Sequence, residues 1–131
     1  MAGIGALALA VSQLRATKAE RRRALTDPLT GLLNRRALFA AVPEGPLADG
    51  TAVLMLDLDR FKAINDSFGH ARGDQVLVGF AALLRQFTGP GDLVARLGGE
   101  EFCVLLEVLA SAEAERLAER IRAALANGEP L

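Results

Sequence analysis

One cysteine, nearly balanced charge, no apolar run of membrane length and no internal repeat: what this chain of 131 residues has little of already excludes several classes of protein. The lone Cys103 rules out an internal disulfide and a cysteine-rich zinc site, and its place in the apolar run "FCVLLEV" marks an inert buried thiol of a reducing compartment. With 15 Lys plus Arg against 16 Asp plus Glu, the net charge is −1 and there is no bulk electrostatic case for nucleic acid as a partner. Any phosphate binding must be local. Residues 1–14, "MAGIGALALAVSQL", are uncharged but fall short of the about 20 residues that cross a bilayer. The basic cluster Arg15, Lys18, Arg21, Arg22 and Arg23 follows this stretch instead of preceding it, which is the wrong order for a secretory signal. Two readings remain. The stretch is the end of a membrane helix, a tether upstream of residue 15 that places the chain at the cytoplasmic face of the inner membrane, or it is an amphipathic lead-in helix that pairs with a second copy.

What is present suffices for one folded domain, because 51% hydrophobic residues supply a core. A helix over 3–25 is expected to stop at "TDPLTG", where Pro28 restricts its predecessor and Gly31 permits a turn. Asn34 caps a second helix, "RRALFAAV", and "PEGPLADG" reads as loop. The near-continuous apolar run "TAVLMLDLD", residues 51–59, reads as a buried strand closed by carboxylates. After a short helical turn at "FKAIND", Asp74 is expected to cap a helix with the stripe Leu77, Phe80, Leu84 and Phe87, which "TGPGD" ends. The strands "LVARL" and "EFCVLLEV" then flank two glycines, and Ser111 caps a last helix with Leu117, Ile121 and Leu125 on one face and Gly128 beyond its end. The order α, α, β, α, β, β, α predicts an α/β layer in which the hairpin is antiparallel and the first strand lies beside it.

In that layer Asp57 would converge on Glu100 in "RLGGEEF". Unpaired carboxylates at one strand end repel, and a hard divalent cation, Mg²⁺ foremost, relieves the repulsion while keeping open positions for phosphate. Gly98 and Gly99 let a ligand approach the backbone, and Lys62 adds a cation near developing phosphoryl charge. These parts suit phosphoryl transfer. Each also has an ordinary reading. The glycines make a plain hairpin, Asp57 and Asp59 pair with Arg36 or Arg60, Asn65 ends a short helix, Asp74 caps the next, and His70 satisfies a loop backbone group.

Three segments, "DPLTGLLNRRAL", "DLDRFKAINDSFGHARGDQVL" and "DLVARLGGEEF", resemble in order and spacing the GGDEF domain of the diguanylate cyclase family, in its GGEEF variant. The resemblance runs from Asp27 to the chain end, with residues 1–26 as a signalling or linker helix before it. It implies a palm-like α/β (α+β) domain with a central, mostly antiparallel sheet flanked by helices, related to nucleotidyl cyclases and polymerases. It also implies a reaction, the condensation of two GTP into cyclic di-GMP with loss of two pyrophosphates. On matching positions, Asp57, Glu100 and the Leu58 carbonyl are similar to the family's Mg²⁺ (or Mn²⁺) ligands. Glu100 is similar to its base for the ribose 3′-hydroxyl, Glu101 to the supporting acid and Lys62 to the residue that stabilises the transition state. Asn65 and Asp74 resemble the guanine-reading pair, with His70, Phe61, Gly98 and Gly99 at the substrate pocket. Because each domain positions one GTP, a homodimer is implied.

Two departures from the family stand out. Position 89, where the family's product-inhibition site has an arginine, is glycine, and only Asp92 of that pair is present, so feedback by this route is expected to be lost unless surface arginines such as Arg96 serve instead. The chain also ends after the helix that follows the hairpin, where the family continues with further strands and a helix. That leaves a second expectation from another class, a non-catalytic GTP-binding or dimerisation module.

Overall fold

The computed structural model describes residues 17–42, 44–107 and 110–126. Residues 17–25 are helical (α1), as expected for the end of the lead-in helix. The rest of the stretch expected to be helical, the apolar opening and Gly128 lie outside the described residues. No helix among the described residues is long and apolar enough to cross a membrane.

Past α1 the chain turns at Thr26, which bridges Leu33, and forms a two-residue strand β1 (Leu33–Asn34) that sequence reading did not anticipate. Strand signals need several alternating residues, so so short a strand leaves no pattern. The Asn34 side-chain oxygen accepts the Ala37 N–H at 2.8 Å and caps α2 (Arg35–Ala41), as expected. Strand β2 (Ala52–Asp57), helix α3 (Phe61–Phe68), helix α4 (His70–Phe87), strands β3 (Leu93–Gly98) and β4 (Glu101–Leu106) and helix α5 (Ser111–Ala126) follow. The sheet order is β1-β3-β4-β2, with β4 antiparallel to both its neighbours and β1 parallel to β3. The hairpin and the first long strand are therefore neighbours, as the element order implied.

Two helix starts differ from expectation. Helix α4 begins at His70 behind Gly69 (φ 86°), so Asp74 lies within the helix and does not cap it. In α5 the Glu113 and Ala114 amides donate to the Ala110 carbonyl, which makes Ser111 the first helical residue instead of the cap.

The two sheet faces are unequal. On one, the stripe of α4 and the face of α5 close over the strands. Phe80 and Phe102 meet edge to face with centroids 4.8 Å apart, and Leu77, Leu84, Val104, Leu106 and Ile121 bury around them. On the other, α2 covers only the β3 side, where Leu38 packs on Ala95 and Cys103. Burial raises the Cys103 thiol above its ordinary pKa, in keeping with an inert cysteine. Strand β2 is thus not buried on both faces, as its apolar run suggested. Ala52, Leu54 and Leu56 turn inward, while Val53, Met55 and Asp57 are exposed, Met55 by 64%.

Candidate active site

Of the sequence-predicted residues, Asp57, Leu58, Gly98, Gly99, Glu100 and Glu101 lie at the end of the sheet where β2 stops and the β3–β4 hairpin turns. The turn itself is Gly99–Glu100. Gly99 has φ +46°, a left-handed conformation that glycine adopts without strain. A Cβ added to Gly98 or Gly99 would meet nothing within 4 Å, so the space before the turn is open to a ligand. In register, Glu101 stands opposite Asp57 on one side and Gly98 on the other. The Leu58 amide donates to the Glu100 carbonyl at 3.3 Å, which binds the end of β2 to the turn. Asp57, Leu58, Glu100 and Glu101 are therefore adjacent along one short backbone seam.

A second donor holds the turn from behind. The Arg96 Nε donates to the Gly99 carbonyl at 2.9 Å, while its Nη1 lies 3.2 Å from both oxygens of Asp27. Asp27 also accepts from the Thr30 amide at 2.8 Å and the Thr30 hydroxyl at 2.7 Å. Burial by itself would raise the Asp27 carboxyl, but the hydrogen bonds from Thr30 and the Arg96 guanidinium outweigh it and hold the group below its ordinary pKa. Arg96, expected at the surface as a stand-in for the missing feedback arginine, is instead 17% exposed and committed to this clasp. The pair joins residues 69 apart in sequence, and nothing local to either residue announces it.

The remaining sequence-predicted residues lie on α3 and α4. Arg60 adopts a left-handed conformation (φ 60°), uncommon for a residue with a side chain, and turns the chain from the strand end straight into α3. Lys62, in the first turn of α3, is exposed, while Phe61 is 7% exposed and packs into the core, so it supports the site from beneath and offers little surface to a ligand. Asn65 is half-buried on α3, and exposed His70 and Asp74 lie on the first turns of α4. The Asn65 Oδ1 is buried with no hydrogen-bond partner. Gly73, which sequence reading passed over, lies directly under it: a Cβ there would overlap Asn65 Oδ1 and stand 2.9 Å from its Cγ.

Among the described residues the ion pairs are Arg96–Asp27 and the exposed Arg122–Glu119, so neither Asp57 nor Asp59 is matched with Arg36 or Arg60. No three His, Cys, Asp or Glu side chains among them form a ready cation cage. The donors at the seam are the carboxylates of Asp57 and Glu100 and the Leu58 carbonyl. Such hard oxygens fit Mg²⁺, which keeps several waters and takes one or two carboxylates plus substrate phosphates. Both Asp92 oxygens accept backbone amides, from Gly89 at 2.8 Å and from Glu107 at 3.2 Å. The loop that lacks the arginine is closed on itself.

Fold and site define a class first: an α/β domain whose glycine hairpin sets a carboxylate against a strand-ending aspartate, with two helices following that strand. Residues 24–130 match the family "Diguanylate cyclase, GGDEF domain", and the chain belongs to that family. It is 46% identical over 123 residues to diguanylate cyclase DgcP of Pseudomonas aeruginosa, covering 86% of this chain and 18% of that protein. It is 48% identical over 104 residues to the response regulator PleD of Caulobacter vibrioides, covering 76% of this chain and 23% of that protein. The chain thus spans about a fifth of the length of these curated relatives. Among solved structures it resembles the coiled coil and GGDEF domain of DgcB from Caulobacter crescentus in complex with c-di-GMP, with TM-score 0.76 and 33% identity over 90% of this chain and 65% of that one.

Proposed function

We propose that the chain is a cyclase domain that condenses two GTP into cyclic di-GMP with release of two pyrophosphates, as a homodimer in the bacterial cytoplasm. One observation carries the reading: the Leu58–Glu100 hydrogen bond and the Asp57–Glu101 register bring the strand-end carboxylates together before an open glycine turn. In each bond-forming step the ribose 3′-oxygen of one GTP joins the α-phosphorus of the other as the α–β phosphoanhydride bond breaks. The Glu100 carboxylate takes the hydroxyl proton, with Glu101 beside it, and the Lys62 ammonium faces the charge developing on the phosphates. Asp57, Glu100 and the Leu58 carbonyl would hold Mg²⁺, or Mn²⁺ in its place, which supplies neutralising charge to the phosphates when bound. Asp74 accepts from the guanine N1–H and N2 groups that adenine lacks, with Asn65 beside it and His70 at the pocket rim.

Each domain positions one GTP, so two must face each other across a two-fold axis. A pairing of lead-in helices would bring this about, and the DgcB structure that contains a coiled coil supports it. Residues 1–26, of which 17–25 are helical, would set this pairing, and residues 27–131 would act as the catalytic unit.

The test is chromatography of nucleotide products after incubation of the purified protein with GTP. Cyclic di-GMP is expected with Mg²⁺ or Mn²⁺, none with excess EDTA and no cyclic dinucleotide from ATP. GTP returned unchanged with either metal, or simple hydrolysis to GDP, would overturn the proposal.

A further inference from the structure

We infer that Gly73 is a specificity-positioning residue: its missing side chain seats the Asn65 amide beside Asp74, and so sets the preference for guanine. The inference rests on the proposal that Asn65 and Asp74 read the base. Three observations carry it.

Gly73 is buried in the first turns of α4, where its amide donates to the Gly69 carbonyl at 3.2 Å, and it has no positive φ that would require glycine. Glycine weakens a helix relative to alanine, so backbone conformation gives no reason for one here. Second, the space where its Cβ would stand is already taken. That Cβ would overlap Asn65 Oδ1, lie 2.9 Å from Asn65 Cγ and lie 3.3 Å from Phe61 Cζ. Third, Asn65 Oδ1 is buried without a hydrogen-bond partner, so no such bond fixes the amide from that side. Its position comes from contact with the bare α4 backbone, and α3 approaches α4 as closely as it does because position 73 has no side chain.

Asp74 is the next residue along α4. Whatever moves the Asn65 amide off Gly73 therefore moves it relative to Asp74, and the two groups no longer present a pair at fixed separation. Small displacements of positioning groups have large effects, since a shift near 1 Å can cost about 10²-fold in rate. A methyl at position 73 demands a displacement of that order, because one end of the Asn65 side chain must leave the space the methyl fills.

The experiment compares binding of Mg²⁺·GTP and Mg²⁺·ATP by titration calorimetry, with melting temperature recorded alongside, for the wild type, Gly73→Ala, Asn65→Ala and the double variant. The wild type is expected to prefer GTP. Gly73→Ala is expected to lower that preference by about tenfold or more, while melting within a few degrees of the wild type. Asn65→Ala is expected to lower it similarly, and the double variant to lose no more than Asn65→Ala alone, because the two nearest atoms, Asn65 Oδ1 and Cγ, are gone and Phe61 Cζ at 3.3 Å needs to yield only a few tenths of an ångström. If Gly73→Ala unfolds the protein, the double variant should recover the melting temperature. Undiminished GTP preference in Gly73→Ala, a double variant whose losses multiply, or a double variant as unstable as an unfolded single one would each overturn the inference and leave the guanine reading intact. A wild type with no preference for GTP would instead remove the guanine reading, and this inference with it.

Discussion

Asp57 and Leu58 are neighbours, as are Glu101 and Phe102, yet in each pair the two side chains leave the sheet on opposite faces. Phe102 is fully buried against Phe80 and Leu58 is 8% exposed, whereas Asp57 and Glu101 stand in the open. The closed face holds the fold together and the open face carries the carboxylates proposed to do the chemistry, and the strand's two-residue period keeps them apart. The Leu58–Glu100 hydrogen bond joins them, so the core fixes the position of groups that it does not itself contain. A one-residue slip of β4 against β2 would bury the carboxylates and expose the phenylalanine, which makes register as much a functional property here as a structural one.

The largest expected effect breaks the closed face alone. Phe102→Ala should lower stability by about 3–5 kcal/mol in denaturant unfolding, because it removes a ring that nothing else can replace between the sheet and α4. Glu101→Ala, one residue away, should stay within about 0.5 kcal/mol of the wild type. Equal losses from both would erase the difference between the faces.

Next in size is a change on the α3–α4 side. Asp74→Ala should narrow the preference for GTP over ATP by about 1–3 kcal/mol, measured by competition binding, since it removes the acceptor proposed for guanine's N–H groups. Asp74 is exposed, so melting should hardly change. A large fall in melting temperature would move this residue from the chemistry to the scaffold.

The smallest expected effect sharpens the comparison at the clasp behind the turn. The folded-state pKa of Asp27 is depressed, so its contribution to stability is fully present above the unfolded carboxylate value, near pH 4, and is lost as pH falls through the lower folded value. Asp27→Asn should therefore lower stability by about 1–2 kcal/mol at pH 7 and flatten the acid limb of the stability profile below about pH 4. An unchanged acid limb would show that other carboxylates govern unfolding in acid.

Much of this was legible in the chain itself, and the reason is locality. The glycine turn, the carboxylates at the end of "TAVLMLDLD" and the stripe Leu77, Phe80, Leu84 are patterns within a few residues, and each took its expected place. What escaped depends on distance or on absence. The clasp of Asp27 by Arg96 spans most of the domain, and each residue alone reads as an ordinary surface charge. The role of Gly73 lies in a side chain it does not have. The exposed face of β2 was misjudged because Val53 and Met55 are as apolar as core residues, and sequence does not tell which face of a strand finds a cover. Asp74 was expected as a cap because aspartate favours that position, but Gly69 starts α4 one turn earlier.

The proposed chemistry is tested most directly at Glu100, whose carbonyl accepts the Leu58 amide and whose carboxylate is the proposed base. Glu100→Gln keeps the backbone hydrogen bond to Leu58 and the side-chain shape while removing the charge. The variant is expected to melt with the wild type and to form cyclic di-GMP from GTP at least about 10²-fold more slowly, read by product chromatography at saturating Mg²⁺. Wild-type turnover by the variant would contradict the assignment of proton transfer and metal binding to this carboxylate, and with it the proposed cyclase chemistry at the strand end.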